Sequence, residues 1–273
     1  MSHNLLAGKR GIIFGALNQD SIAWKVAQRC HQEGATFVLT NAPLAMRMGE
    51  INKLAEETGA PIIPADATSI DELTKLFEGA VEQLGGKIDF VLHSIGMSPN
   101  IRKGKTYGEL NYEWFQKTLD VSALSLHKML AVAEKLDCLN EWGSVVALSY
   151  IAAQRVFPDY TDMAQAKAML ESIARSYGYR LGKQKRVRVN TVSQSPTRTT
   201  AGNGIEGFDV MFNYADAMAP LGNASADACA DYCVSLFSDL TRYVTMQNLL
   251  HDGGFGFVGI SESVVEMMTP KGA

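Results

Sequence analysis

The sequence predicts an α/β fold: a Rossmann-like, doubly wound parallel sheet of about seven strands with helices on both faces, one domain spanning residues 1–273. Three observations predict it. Short β-rich runs alternate with longer amphipathic segments along the whole chain. The runs GIIFG, IDFVLHS and SVVALS are almost unbroken apolar stretches, as strands are when helices cover both sheet faces. No internal repeat, low-complexity tract or Pro/Gly-rich linker divides the 273 residues, a length that doubly wound folds reach as one unit.

In chain order, strands are predicted at Arg10–Gly15, Ala35–Thr40, Pro61–Ala65, Ile88–His93, Gly143–Ser149, Arg186–Val192 and Val244–His251. Helices are predicted between them at Ser21–Glu33, Ala45–Thr58, Ile70–Leu84, Tyr112–Leu136, Tyr160–Leu181 and Ser225–Ser238. Such alternation implies parallel strands joined by right-handed crossovers. Two stretches break the rhythm. Gly96–Tyr112 is a long polar connection holding Arg102, Lys103 and Lys105, and residues 193–220 are longer still, with short apolar pieces around Phe208 and Phe212. Long insertions after parallel strands sit at the carboxyl edge of the sheet, where such folds bind ligands, so both are candidate lids.

Composition excludes several classes. Hydrophobic content of 47% and charged content of 20% suit a globular protein, and a net charge of -4 argues against general affinity for nucleic acid or anionic membranes. No apolar run is long enough to span a bilayer, and MSHNLLAGKR lacks the apolar core of a signal peptide, so a cytoplasmic location is expected. Cys30, Cys138, Cys229 and Cys233 form no CxxC, and buried reduced thiols are expected rather than a metal site.

Four predicted strand ends carry features suited to a dinucleotide. Gly15 allows close backbone approach of a pyrophosphate, and Ser21 can cap the next helix while offering its hydroxyl; the common GxGxxG is absent. Asp66 can accept from an adenine amino group or serve as a helix N-cap. In His93-Ser94-Ile95-Gly96 the glycine lets backbone lie against a ribose or nicotinamide, and His93 reads as a core histidine. Ser193-Gln194-Ser195-Pro196-Thr197-Arg198-Thr199 offers a rigid turn and hydroxyls for a carboxamide and a diphosphate. Thr40-Asn41-Ala42-Pro43 has neither the acid that favours NAD nor the arginine that favours NADP; NADH is expected, NADPH less so.

The predicted fifth strand ends at Ser149-Tyr150; Tyr160 follows, with Lys167 seven residues later. On a helix that spacing returns to nearly the same face, so phenol and ammonium can converge. A phenol titrating near pH ~10 stays a donor at neutral pH, and a lysine beside it lowers its proton affinity.

The set Gly15…Ser21-Ile22-Ala23, Asp66, His93-Ser94-Ile95-Gly96, Leu148-Ser149-Tyr150, Tyr160-x6-Lys167, Arg188-Val189-Asn190 and His251-Asp252-Gly253-Gly254-Phe255 resembles the NADH-dependent enoyl-[acyl-carrier-protein] reductases, a divergent branch of the short-chain dehydrogenase/reductases. Ordinary members of that superfamily place the lysine four residues after the tyrosine, where this chain has Ala164. The resemblance implies reduction of a trans-2-enoyl thioester on acyl-carrier protein by NADH. It implies that Tyr160 stabilises the enolate, that Lys167 holds the nicotinamide ribose, and that Tyr150 lines an acyl pocket with Met97, Met163, Phe208 and Met211. Ser21, Ile22, Asp66, Ala67, Ser94, Ile95, Gly96, Thr197 and Thr199 would complete the cofactor set. A homotetramer packed through Tyr112–Leu136 and Tyr160–Leu181 is also implied. Gln194-Ser195 and Thr197 depart from the family's usual Ala-Gly-Pro-Ile turn, and Glu206 and Asp209 make the second insertion acidic, leaving Arg198 or the Arg102–Lys105 loop to meet an acidic carrier.

Overall fold

The computed structural model describes residues 3–199 and 207–269. Six parallel strands form one sheet: β1 (Arg10–Phe14), β2 (Thr36–Thr40), β3 (Ile88–His93), β4 (Leu139–Ser149), β5 (Arg188–Gln194) and β6 (Asn248–His251), in the spatial order β2-β1-β3-β4-β5-β6. The expected strand at Pro61–Ala65 is not one of them. It lies along β2, with Leu39 and Ile63 amides exchanging bonds with Pro61 and Leu39 carbonyls, but only Leu39↔Ile62 registers as a bridge. Pro61 and Pro64 lack the N–H groups a regular ladder needs, so this edge stays irregular.

Alternation along each strand sends neighbours to opposite faces. Ile12, Val91, Val145 and Val189 enter a core with α4 (Ile70–Leu84), α7 (Ser125–Lys135) and α8 (Thr161–Lys185). Ile13, Leu92, Val146 and Val192 enter a second core with α1 (Ile22–Gln32), α3 (Ile51–Thr58) and α10 (Ala226–Phe237). The four cysteines are free and buried, three of them in this second core, and burial pushes the Cys30 thiol upward. No helix among the described residues is long and apolar enough to cross a membrane.

Two predicted helices are subdivided. Ala45–Thr58 becomes α2 (Pro43–Met48) and α3, broken at Gly49, where an added Cβ would stand 2.5 Å from the Leu17 carbonyl oxygen. The helix gives way so that backbone can touch the loop after β1. Tyr112–Leu136 becomes α6 (Tyr112–Leu119) and α7, joined by a π turn at Asp120–Leu124. That turn aims Ser122 at Met97, whose N–H it accepts at 2.9 Å, and precedes Ser125, which meets His93 Nε2 at 2.8 Å. The polar connections contain α5 (Pro99–Arg102) and α9 (Phe208–Met218); α11 (Glu262–Met268) packs on α9, and Ser261 just before it donates to the Ala217 carbonyl.

Candidate active site

The site forms at the carboxyl edge of the sheet. Gly15 holds φ +94°, and a Cβ there would lie 2.0 Å from the Ser94 carbonyl oxygen, so β1 and β3 ends approach as only glycine allows. Ser21 occupies the N-cap position of α1 without capping it. Its hydroxyl instead closes the loop, donating to Asn18 O at 2.5 Å and accepting from Leu17 N at 3.2 Å. The expected cap is therefore absent, and the Ser21 side chain leaves the first-turn N–H groups of α1 uncapped. Ile22 packs at the rim of the second core.

Asp66 is not the cap of α4. Ser69 takes that role, accepting from Glu72 N at 3.3 Å, while Asp66 Oδ1 gathers Thr68 N and Oγ1 at 2.8 Å each. Ala67 is buried in the core beside it. After β2, Asn41 donates to Ala16 O at 3.3 Å, and Arg47 is exposed. His93 is fully buried, and burial with the Lys167 charge lowers it to about 3, so it stays neutral, a core histidine as the sequence suggested. Ser94 and Ile95 lead to Gly96, where a Cβ would come 3.7 Å from Lys167 Nζ and 3.9 Å from Met163 Cε. Gly96 thus opens directly onto the lysine.

Lys167 is buried on α8 and donates to Leu148 O at 2.7 Å. Burial lowers it to about 8, while Glu171 one turn on works the other way. Glu171 is itself buried and accepts from Ser149 Oγ at 2.7 Å and Gln154 Nε2 at 3.1 Å, bracketing Tyr150 from both sides in sequence.

Tyr160 does not ride on α8. It ends a 3-10 turn, Pro158–Tyr160, and the chain enters the helix through Thr161 at φ 32°, ψ −127°. Tyr160 packs on the cluster of Ile101, Met163 and Ala166, and Met163 and Lys167 both approach Gly96, so the phenol and the amine share a site by way of this sharp junction rather than a common helix face. The rings of Tyr150 and Tyr160 lie 5.0 Å apart, and the buried Tyr150 hydroxyl has no hydrogen-bond partner among the described residues. Burial pushes both phenols up; the expected lowering of Tyr160 by the lysine is not found. Both are hydrogen-bond donors at neutral pH.

Met211 and Tyr160 pack on the Tyr150 cluster with Phe255, which closes the motif that begins at His251, and with Phe157, which the sequence did not single out. Phe208 is buried but faces Phe212 at 6.0 Å. Met97 is fixed through its backbone to Ser122. Thr197 donates to Ser195 O at 2.9 Å and receives Gln194 Nε2 at 3.3 Å; Thr199 follows, half-buried. Gln194 also meets His251 Nδ1 at 2.7 Å and Ala224 O at 3.0 Å, so the polar residues that depart from the family turn cross-brace three segments. Arg198 is occupied, paired with Asp209 at 2.5 Å and stacked 4.4 Å over Phe212. Glu206 lies outside the described residues.

Glycine-shaped strand ends facing a buried lysine and paired phenols define a dinucleotide-dependent reductase of the short-chain dehydrogenase/reductase class. Residues 15–256 match the family described as Enoyl-(Acyl carrier protein) reductase. The chain is 36% identical over 267 residues to Enoyl-[acyl-carrier-protein] reductase [NADH] FabI of Rickettsia bellii, covering 97% of this chain and 100% of that one. It is 34% identical over 258 residues to Enoyl-[acyl-carrier-protein] reductase [NADH] 1 of Rhizobium meliloti, covering 94% and 93%. The crystal structure of a FabI–NADH complex from Alistipes finegoldii superposes with a TM-score of 0.96 at 59% identity, covering 99% of this chain and 95% of that one. The chain belongs to the enoyl-[acyl-carrier-protein] reductase family.

Proposed function

We propose that this protein reduces the trans-2 double bond of enoyl thioesters borne by acyl-carrier protein, using NADH, in the last step of the fatty acid elongation cycle. The observation that carries this reading is the buried Lys167 amine open to Gly96, seven residues after a tyrosine that packs on Tyr150. The donor set fits a dinucleotide. Lys167 has three N–H groups and gives one to Leu148 O, leaving two for ribose hydroxyls. Ser21, Ile22, Ser94, Ile95 and Gly96, with the opening that Gly15 makes, would hold the diphosphate and nicotinamide side; Asp66 and Ala67 would hold the adenine; Thr197 and Thr199 would hold the carboxamide and diphosphate. With no guanidinium at the end of β2 to meet a 2′-phosphate, the free ribose of NADH suits it better than NADPH.

When bound, NADH supplies the hydride that reaches the β-carbon. Tyr160, kept protonated by burial, donates to the thioester oxygen as negative charge develops there, and a proton taken up from solvent at the α-carbon completes the saturated product. Tyr150, Met97, Met163, Phe208 and Met211 would line the acyl chain's path, with residues 193–220 as a lid. A cytoplasmic homotetramer packed through α6–α7 and α8 accords with this reading.

The assay is loss of NADH absorbance with crotonyl thioester, beside acetoacetyl thioester. Oxidation with the enoyl compound is expected, and oxidation only with the keto compound would overturn the reading. For the carrier, Arg198 is already engaged, whereas Arg102, Lys103 and Lys105 are exposed and no ion pair to them forms among the described residues. Charge reversal at Lys103 and Lys105 is expected to raise KM for the acyl-carrier substrate about tenfold while leaving crotonyl coenzyme A turnover unchanged. An unchanged KM for the carrier substrate would remove the loop from docking.

A further inference from the structure

Asp162 is the second residue of α8, two positions after Tyr160, and it is completely buried. Its Oδ1 accepts from Ser98 Oγ at 2.7 Å and Thr161 Oγ1 at 3.2 Å; its Oδ2 accepts from Asn100 Nδ2 and Thr118 Oγ1 at 2.8 Å each. The four donors come from the connection after β3, from α6 and from the start of α8, and all four residues are buried. No ion pair to this carboxylate forms among the described residues. A buried anion met only by neutral hydroxyls and an amide is expensive unless its geometry is closely satisfied, and here four donors with the amino end of α8 satisfy it.

The residue between Tyr160 and Asp162 is the strained one. A β-branched side chain at φ 32° is a genuine outlier, and such backbone persists only where surrounding contacts over-determine it. Thr161 gives its hydroxyl to Asp162, and Asp162 is tied to two further elements. The same ties hold Ser98 and Asn100, next to Met97 and to Ile101, which packs in one cluster with Met163 and Tyr160.

We infer that Asp162 is a positioning residue for Tyr160: its four-donor clamp holds the strained Thr161 junction and so aims the phenol at the thioester oxygen. It touches neither substrate nor cofactor and acts through the backbone on its amino side. The inference rests on the role proposed for Tyr160, which kcat of Tyr160→Phe with crotonyl thioester tests separately.

The test measures kcat with crotonyl thioester, and NADH affinity and site count by fluorescence titration, for D162A, T161G and the pair. D162A is expected to lower kcat about 30-fold per NADH-binding site with Kd for NADH within about threefold, as misplacement of a catalytic group does. T161G added to D162A removes the φ penalty and is expected to restore about fivefold of that loss. A role confined to stability predicts an unchanged kcat per NADH-binding site in D162A, and so no loss for T161G to restore. Should D162A fail to fold, T118V removes one donor, and a kcat about threefold lower at unchanged NADH affinity is expected. A kcat per site within twofold of the unaltered protein in D162A or T118V, or a loss in D162A that T161G leaves untouched, would overturn the inference.

Discussion

The two halves of the carboxyl edge are built from different materials. On the β1–β2 side the site is shaped by main chain: Gly15 against the Ser94 carbonyl, Gly49 against the Leu17 carbonyl, and Ser21 bonded within its own loop. On the β4–β5 side it is shaped by buried side chains: Lys167 on Leu148 O, Glu171 on Ser149 and Gln154, Asp162 on four donors. Backbone surfaces reject added atoms, whereas side-chain networks reject lost ones. A site made of both is vulnerable to opposite kinds of substitution on its two sides.

Substitutions that add bulk or remove a group test that contrast. The largest effect is expected from Gly15→Val, which drives a Cβ onto a carbonyl oxygen at 2.0 Å and forces a β-branched residue to φ +94°. Titration of NADH fluorescence should show affinity lower by about 100-fold or more, and near-normal affinity would show that the β1 end is not a main-chain cradle. Tyr160→Phe deletes one donor and should lower kcat about 10–100-fold while Kd for NADH changes by less than about threefold. An unaltered kcat would strip that hydroxyl of its role.

The smallest expected effect is a shift in pH dependence. Lys167 is depressed to about 8, so as pH rises through that value it loses its charge and one N–H. The ratio kcat/KM for NADH reports the free protein and should therefore fall above about pH 8. Lys167→Arg should carry that falling limb beyond pH 10, because guanidinium stays charged. A limb that does not move would assign it to another group. Stability runs the other way: the folded value lies below the free lysine's, so this group makes the fold more stable as pH climbs from about 8 to about 10.5.

Legibility in the sequence divides along the same line. The strands of the sheet were readable because unbroken apolar runs have one physical explanation in this architecture; four were placed to within two residues, while the β4 start was set four too late and the β6 start four too early. Pro61–Ala65 misled because Ile62 and Ile63 look like strand residues, while the ladder depends on N–H groups that Pro61 and Pro64 lack. Tyr160 and Lys167 were found from a spacing, although the helical geometry supposed to join them gives way to a turn at Thr161. Asp162 and Glu171 went unseen. A carboxylate on an amphipathic helix reads as solvated unless its donors, here 22 positions back at Ser149 or 64 at Ser98, are known to fold against it. The Gln194–His251 brace hid for the same reason, 57 residues apart.

The π turn at Asp120–Leu124 has a heritable side. A π turn is an α-helix carrying one surplus residue absorbed in a wider turn, so losing a single codon there would restore regular pitch with α6 and α7 still in phase. The bulge that aims Ser122 at Met97 would be drawn flat. Helix length, counted to the residue, is thus a trait on which selection can act, and a one-residue deletion would reach the floor of this site without replacing any residue that lines it.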